Sequence, residues 1–176
     1  LPKFIKSRRK NIEKRKISKI FKKLLNNLIY NKKVFIHRDF HVSNIMITKN
    51  GLGLIDSQDV VYGNIAYDLA SLIDDVRFRT NNNFKDKIFN EFIKLNKKLN
   101  RNKLKNDFEI LSVLRNFKII GTFSRLSKRD RKHKYLKLIP YAWKLIENRI
   151  NNSVKFKDLK ILIDKNFPKK IRYNEN

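Results

Sequence analysis

The chain has 176 residues, no cysteine, and 43 Lys and Arg against 16 Asp and Glu, which gives a formal net charge of +27. This length predicts a single domain, and the lack of cysteine excludes a disulfide framework and thiolate chemistry, which fits a cytoplasmic location. No apolar run approaches the roughly 18 residues of a membrane span, and the only histidines, His37, His41 and His133, exclude a His/Cys zinc site.

The positive charge raises the question of nucleic-acid binding, because a basic surface has salt-dependent, sequence-independent affinity for phosphate backbones. However, the chain is rich in Lys, Asn and Ile throughout, and its lysines are not gathered into one stripe. We therefore interpret the charge as compositional drift and expect no nucleic-acid partner. With only 16 acidic residues available to build an acidic pocket, a neutral or anionic small molecule suits this surface better than a polycationic one.

In chain order, residues 1–16 are basic with little apolar content, which predicts a solvated lead-in. Apolar residues then recur at helical spacing and predict an amphipathic helix with one buried face. They are Ile17, Ile20, Phe21, Leu24, Leu25, Leu28 and Ile29. Residues 31–33 are predicted to end this helix, and the short apolar run from Val34 to Ile36 predicts a strand.

Two predicted strands are each followed by side chains that carry oxygen. The first is followed by Asp39 and, five positions later, by Asn44. The second, Leu52 to Ile55, comes after a predicted hairpin turn at residues 49–51 and is followed directly by Asp56. Strands that end in this way can hold such side chains over one face, where they position a hydroxyl group and a magnesium ion.

These residue types fit phosphoryl transfer, in which the protein mainly positions groups and neutralises charge. Asp39 would accept the proton of the acceptor hydroxyl, and Asn44 and Asp56 would hold Mg²⁺, which takes one or two carboxylates together with phosphates. His37, at the corner between strand and loop, would hold the loop backbone in place. The alternative is that Asp39 and Asn44 are ordinary turn residues; we favour catalysis because all the parts occur in order.

Residues 34–70 resemble the aminoglycoside phosphotransferase and choline kinase-like superfamily, which is related to the protein kinases. The matching segments are the His-x-Asp-x-x-x-x-Asn loop at 37–44, the Ile-Asp strand end at 55–56 and the Gly-x-x-x-Tyr-Asp-Leu-Ala segment at 63–70. Two positions depart from the superfamily pattern: Ser57 stands where an aromatic residue is usual, and Asn64-Ile65 stands where Asp-Pro is common. Neither departure removes a charged catalytic group.

The resemblance implies the C-terminal lobe of a protein-kinase-like fold, α+β and mostly α, with a small β-hairpin that carries the catalytic loop. It also implies ATP and Mg²⁺ as cofactors, and it makes Asp68 a structural carboxylate that braces the catalytic loop. The alternative for Asp68 is an acid favourably placed near the start of a helix predicted from Tyr67 to Asp75. We prefer the bracing role because Asp68 lies within the matching segment.

The four glycines of the chain cannot form a phosphate-cradling loop. Because the resemblance also begins partway into the superfamily pattern and the first residue is Leu1, we expect residues 1–176 to be one phosphotransferase C-lobe domain. The N-terminal nucleotide lobe would then come from upstream sequence or from a partner chain.

A second resemblance begins at Arg115. The segment Arg115 to Leu126, followed by residues 134–136 and 139–140, is similar to bacterial N-acetylmuramate/N-acetylglucosamine anomeric kinases, which phosphorylate the C1 hydroxyl of the sugar in cell-wall recycling. This similarity implies an N-acetylated amino sugar as the acceptor. Two alternatives remain: an aminoglycoside, choline or another small alcohol as the acceptor, or a non-catalytic basic binding module.

Three further residues are candidates for substrate contact. Gln58 and Asp59 lie in the predicted loop from Ser57 to Asn64, and binding residues concentrate on loops held by a scaffold; a polar loop in solvent is the alternative. Arg125 would contact a bound sugar or phosphate, and the alternative is a surface salt bridge.

The remainder of the chain is predicted to be helical from its apolar spacing. The predicted helices pass through Phe84 to Leu99, Phe108 to Leu126, and Tyr135 to Ile146, the last bent or begun at Pro140. Gly121 lies inside the second of these and weakens it by about 1 kcal/mol relative to alanine, which predicts a close contact at that position.

Overall fold

The computed structural model describes residues 7–30 and 33–173. In this part of the chain, helices dominate and the strands are short and antiparallel, which confirms the α+β, mostly α class. The described residues fall into two compact units. We call residues 28–115 the central unit and the residues before 28 or after 115 the terminal unit.

The central unit contains two small antiparallel sheets. Their strands are β1 (Lys33–Ile36), β2 (Ile45–Thr48), β3 (Gly51–Leu54) and β4 (Val61–Asn64). Strands β2 and β3 form the predicted hairpin, whose turn is closed by Gly51 with a φ of 115°. Strand β1 pairs with β4, so that Ile36 lies opposite Val61. The prediction of a loop from Ser57 to Asn64 is therefore wrong for its second half.

The pairing of β1 with β4 leaves little room for a side chain at position 63. Gly63 lies opposite Val34, and a β-carbon at Gly63 would overlap the side chain of Ile36, which is buried. The glycine of the Gly-x-x-x-Tyr-Asp-Leu-Ala segment therefore leaves room for the residue that ends β1, just before His37.

Three helices pack in the central unit: α2 (Ala66–Ile73), α3 (Asn82–Leu95) and the first half of α4 (Arg101–Asp130). Their core includes Leu69 of α2 and the rings of Phe89 and Phe108, whose centroids are 5.4 Å apart. Each of these helices was predicted, but the apolar stripe of α3 was partly wrong. Phe84 is 47% exposed, and the buried aromatic residue is Phe89.

A buried ion pair connects the same three helices. Asp74, at the end of α2, accepts hydrogen bonds from Lys85 Nζ of α3 at 2.7 Å and from Ser112 Oγ of α4 at 2.5 Å. All three side chains are buried. Removing Asp74 or Lys85 alone would leave a buried charge uncompensated, so this ion pair favours the arrangement in which α2, α3 and α4 meet.

The terminal unit is helical. It contains α1 (Ser7–Asn26), the second half of α4, α5 (Ile139–Ile150), α6 (Lys157–Asn166) and α7 (Lys169–Tyr173). The ring of Trp143 packs against Phe117 and Phe167, with centroids 5.5 and 5.1 Å away. Helix α5 has Pro140 in its first turn, as predicted.

Helix α1 begins earlier than expected. The predicted solvated lead-in is helical from Ser7 onward, and Glu13 within it is buried and accepts a hydrogen bond from Asn166 Nδ2 at 3.3 Å. Residues 1–6 of that lead-in, and residues 31 and 32 at the predicted end of the helix, lie outside the described residues. No helix within residues 7–30 and 33–173 is both long enough and apolar enough to cross a membrane.

Candidate active site

The backbone after β1 is held by Asp68. Its Oδ2 accepts a hydrogen bond from the backbone N–H of His37 at 2.6 Å, and its Oδ1 accepts one from that of Arg38 at 3.0 Å. Arg38 has a φ of 70°, a left-handed conformation that residues with a β-carbon rarely adopt. Asp68 lies in the first turn of α2, so this helix fixes the strained start of the loop that carries Asp39.

His37 connects this loop to the end of β3. Its ring is 5% exposed, and its Nε2 lies 3.0 Å from the carbonyl oxygen of Ile55. Because a carbonyl only accepts hydrogen bonds, Nε2 carries the proton and donates it. Ile55 directly precedes Asp56, and the two segments that carry Asp39 and Asp56 are therefore joined through one buried side chain.

Asn44 makes a second connection between the same segments. Its Nδ2 donates to the backbone oxygen of Asp39 at 2.9 Å, and its own backbone oxygen accepts from the N–H of Ile55 at 3.0 Å. The side chain is buried, and this orientation leaves Oδ1 as its acceptor atom. The half-buried carboxylate of Asp39 makes no hydrogen bond with any residue that the structure describes.

Asp56 lies at the surface with a φ of 66°, so both Arg38 and Asp56 adopt left-handed backbone beside the candidate residues. Its Oδ1 accepts a hydrogen bond from Gln58 Nε2 at 2.6 Å. Asp59 is exposed, and its backbone oxygen lies 3.5 Å from Nη1 of Arg38. The central unit thus brings Gln58 into contact with Asp56 and leaves the carboxylate of Asp59 at the surface.

Arg125 belongs to the terminal unit. It is exposed and lines a cavity of about 670 Å³, together with Phe117, Ser124 and Trp143. Gly121 lines the same cavity, and a β-carbon there would meet no atom within 4 Å. The predicted close contact at Gly121 is therefore wrong.

Near Asp39 lies a group of buried polar residues that the sequence did not indicate. His41, Asp75 and Arg115 are 7%, 1% and 5% exposed. Burial lowers the pKa of His41, and the positive charge of Arg77 lowers it further. Burial also lowers the pKa of Arg115, with Tyr67 and Asp75 acting in the opposite direction. The charge of Asp39 acts on both His41 and Arg115. Arg115 opens the second similar segment, but nothing in its sequence context indicates burial.

The oxygen atoms of Asn44 and Asp56 suit a magnesium ion. Among the residues described, no three His, Cys, Asp or Glu side chains are grouped so that they could hold a metal. Mg²⁺ keeps several waters and takes one or two carboxylates together with substrate phosphates, so an all-protein cage is not needed. An amide oxygen and a carboxylate on neighbouring segments fit that kind of site.

This arrangement is that of phosphoryl-transfer proteins related to kinases. One strand is followed by a braced loop with Asp39 and Asn44, and a second strand is followed by Asp56. The family model described as "Phosphotransferase enzyme family" matches residues 3–96. This match covers more than half of the chain, and the chain belongs to that family.

Several curated proteins are similar to the chain. The N-acetylmuramate/N-acetylglucosamine kinase of Neisseria meningitidis serogroup B is 36% identical over 135 residues, which cover 66% of this chain and 37% of the relative. The proteins of the same name from Caulobacter vibrioides and Pseudomonas aeruginosa are 30% and 25% identical over 115 and 145 residues. These matches cover 62% and 72% of this chain, and 32% and 39% of the relatives. The chain thus spans less than half the length of each of these relatives.

Proposed function

We propose that this chain is the C-terminal lobe of an ATP-dependent kinase whose acceptor is a hydroxyl group of an N-acetylated amino sugar. One observation carries the proposal: Asp68 accepts hydrogen bonds from two consecutive backbone N–H groups, at 2.6 and 3.0 Å, and so braces the strained loop that presents Asp39. A turn in solvent has no need of such bracing, whereas a catalytic carboxylate must be held in one position.

In the proposed reaction, Asp39 accepts the proton of the acceptor hydroxyl. At the same time, the oxygen of that hydroxyl forms a bond to the γ-phosphorus of ATP. The bond from that phosphorus to the bridging oxygen breaks, and ADP leaves. Asn44, through Oδ1, and Asp56, through its carboxylate, would hold the magnesium ion. When bound, this ion would neutralise charge on the phosphates. His37 and Asp68 act as supports, since each contacts the backbone of these segments.

The choice of acceptor rests on the relatives, three of which are named N-acetylmuramate/N-acetylglucosamine kinase. We take the C1 hydroxyl of such a sugar as the acceptor and cell-wall recycling in the cytoplasm as the setting. Gln58 and Asp59 are proposed to contact this sugar. For Arg125, in the terminal unit, we separately propose contact with a bound sugar or phosphate. The nucleotide would be held mainly by an N-terminal lobe that is not part of the 176 residues and that comes from upstream sequence or from a partner chain.

Another small alcohol, such as choline or an aminoglycoside, is the second candidate acceptor. The net charge of +27 disfavours both of these cationic acceptors. A non-catalytic basic module that binds nucleic acid is the third candidate; it predicts DNA affinity that falls steeply with salt and does not depend on Asp39 or Asp56.

A substrate panel tests the proposal. The complete protein is incubated with ATP, Mg²⁺ and either N-acetylmuramate, N-acetylglucosamine, an aminoglycoside or choline, and ADP formation is measured. We expect turnover with the amino sugars, and the Asp39→Asn variant should lose about 10²- to 10⁴-fold in kcat. Asp86→Asn, an exposed carboxylate on α3, is the matched control. Wild-type kcat in a folded Asp39→Asn variant would reject the role of Asp39, and turnover with the aminoglycoside or choline alone would reject the acceptor.

A further inference from the structure

Arg115 is a buried cation that has no hydrogen-bond or ion-pair partner among the described residues. Its side chain is 5% exposed, and its Nη1 is buried. Arg172, in the terminal unit, shows the usual arrangement: it is 4% exposed and pairs with the carboxylates of Glu147 and Asp164 at 2.5 Å. Burying a guanidinium group without such partners is costly.

The neighbours of Arg115 are also incompletely satisfied. Asp75 uses Oδ1 to accept a hydrogen bond from the backbone of Arg77 at 3.0 Å and to pair with Arg77 Nη1 at 3.6 Å, but its Oδ2 is buried and has no partner in the described residues. The same holds for Nδ1 of His41. The charges of Asp75 and Asp39 act on both His41 and Arg115. Three buried polar groups, each with an unused atom, therefore share one region beside the proposed catalytic base.

Buried water could satisfy His41 and Asp75, because water both donates and accepts hydrogen bonds. The charges of Asp75 and Asp39 act on Arg115, but within the described residues neither carboxylate contacts it, and an anion in contact would supply the hydrogen bonds that it lacks. A carboxylate binds a guanidinium group with two parallel hydrogen bonds, and the low dielectric of a buried region strengthens this pairing. The ligand that suits this region therefore carries a carboxylate, which pairs with Arg115, and hydroxyl groups, which suit His41 and Asp75.

We propose that Arg115 binds the carboxylate of an acidic acceptor sugar, while His41 and Asp75 bind its hydroxyl groups beside Asp39. This inference rests on the proposed function and names the substrate class within it. N-acetylmuramate carries a lactyl carboxylate that N-acetylglucosamine lacks, so the two sugars differ in the group that Arg115 is proposed to bind. Arg115 is then the residue that makes the kinase prefer the acidic sugar over the neutral one.

The two sugars provide a matched test in the complete protein. Arg115→Met should lower kcat/KM for N-acetylmuramate by about 10- to 100-fold, since hydrogen bonds to charged groups contribute this much, and should change kcat/KM for N-acetylglucosamine by less than about threefold. Arg115→Lys, which keeps the charge but loses the two-pronged geometry, should give an intermediate loss. The control is Arg101→Met, an exposed arginine on the same helix, and it should alter neither value.

The melting temperature separates binding from a structural role. Removing an unpaired buried cation should leave the melting temperature of Arg115→Met equal to or above that of the wild type. A lower melting temperature with equal losses for both sugars, or no loss for either, would overturn the inference while the proposed function stands. Failure of the wild-type protein to phosphorylate either sugar would instead reject the proposed function, and the inference with it.

Discussion

The carboxylate of Asp68 accepts a 2.6 Å hydrogen bond from the backbone nitrogen of His37, and this contact ties α2 to the end of β1. The other oxygen of Asp68 accepts from the next residue, whose left-handed φ of 70° is unfavourable by about 1–2 kcal/mol for a residue with a β-carbon. The loop backbone is therefore stabilised from outside, by a side chain that lies 30 residues further along the chain.

The first prediction concerns this contact. Asp68→Asn keeps the size of the side chain but replaces one acceptor oxygen with an NH₂ group, so one of the two N–H groups loses its partner. We expect the free energy of unfolding to fall by about 1–3 kcal/mol, the cost of leaving a buried donor unsatisfied. Urea denaturation followed by circular dichroism measures this change.

Asp86→Asn on α3 is the control for Asp68→Asn, because its side chain is exposed, and a change within about 0.5 kcal/mol is expected. An unfolding free energy of Asp68→Asn equal to that of the wild type would mean that Asp68 does not brace the loop. The same variant should lose kcat in the complete protein, since the loop that carries Asp39 would no longer be fixed.

The second prediction concerns Asn44. Asn44→Ala removes the proposed metal-binding Oδ1 and the 2.9 Å hydrogen bond to the backbone of Asp39. We expect Mn²⁺ affinity, measured by electron paramagnetic resonance with a non-hydrolysable ATP analogue, to fall by about 10- to 100-fold. This measurement needs no turnover.

Asn50→Ala is the matched control for Asn44→Ala, because Asn50 is an exposed asparagine in the turn between β2 and β3. Its Mn²⁺ affinity should equal that of the wild type. Equal affinities of the Asn44→Ala and wild-type proteins would exclude Asn44 as a metal ligand.

Local features of the fold were predictable from the sequence. The hairpin of β2 and β3 follows from the short apolar segments on either side of Lys49-Asn50-Gly51, because a left-handed turn position favours glycine. Helices α2 and α4 were also predicted from their apolar spacing, although α4 begins at Arg101, before the predicted Phe108. The order of His37, Asp39, Asn44 and Asp56 predicted that the segments after β1 and β3 lie together, and the contact of His37 with the carbonyl of Ile55 agrees; the catalytic roles remain predictions.

Features that depend on distant partners were not predictable. Strand β4 exists because Val61 to Asn64 pair with β1, nearly 30 residues earlier, and its four residues show no alternating pattern of their own. Charged residues are usually exposed, so burial of Asp74 and Arg115 could not be expected from composition. The early start of α1 has a simpler cause: Lys, Arg and Glu are good helix formers, and basic composition does not indicate a lead-in without structure.

The third prediction concerns Asn64, which stands where the superfamily commonly has aspartate. Its Nδ2 donates to Asp107 Oδ2 at 2.8 Å and to the carbonyl of Tyr30 at 3.0 Å, and its Oδ1 accepts from the N–H of Ala66 at 2.9 Å. Asp107 is fully buried and also accepts from the N–H groups of Ile29 and Tyr30 at 2.8 Å. An amide is therefore required at position 64, because it donates to a carboxylate that already receives two backbone donors.

Asn64→Asp would bring two carboxylates into contact. Their repulsion raises the apparent pKa of the pair in the folded state above the value of about 3.9 that aspartate has in an unfolded chain. A raised pKa contributes stability only at low pH, so the deficit grows as the pH rises through the pKa of the pair. We expect the variant to lose about 1–3 kcal/mol of unfolding free energy at pH 7.5 and less at pH 5. Urea denaturation of the variant, the wild type and Asn102→Asp, an exposed asparagine of α4, measures this at both pH values. Equal stability of Asn64→Asp and the wild type at pH 7.5 would show that Asn64 is not held against Asp107.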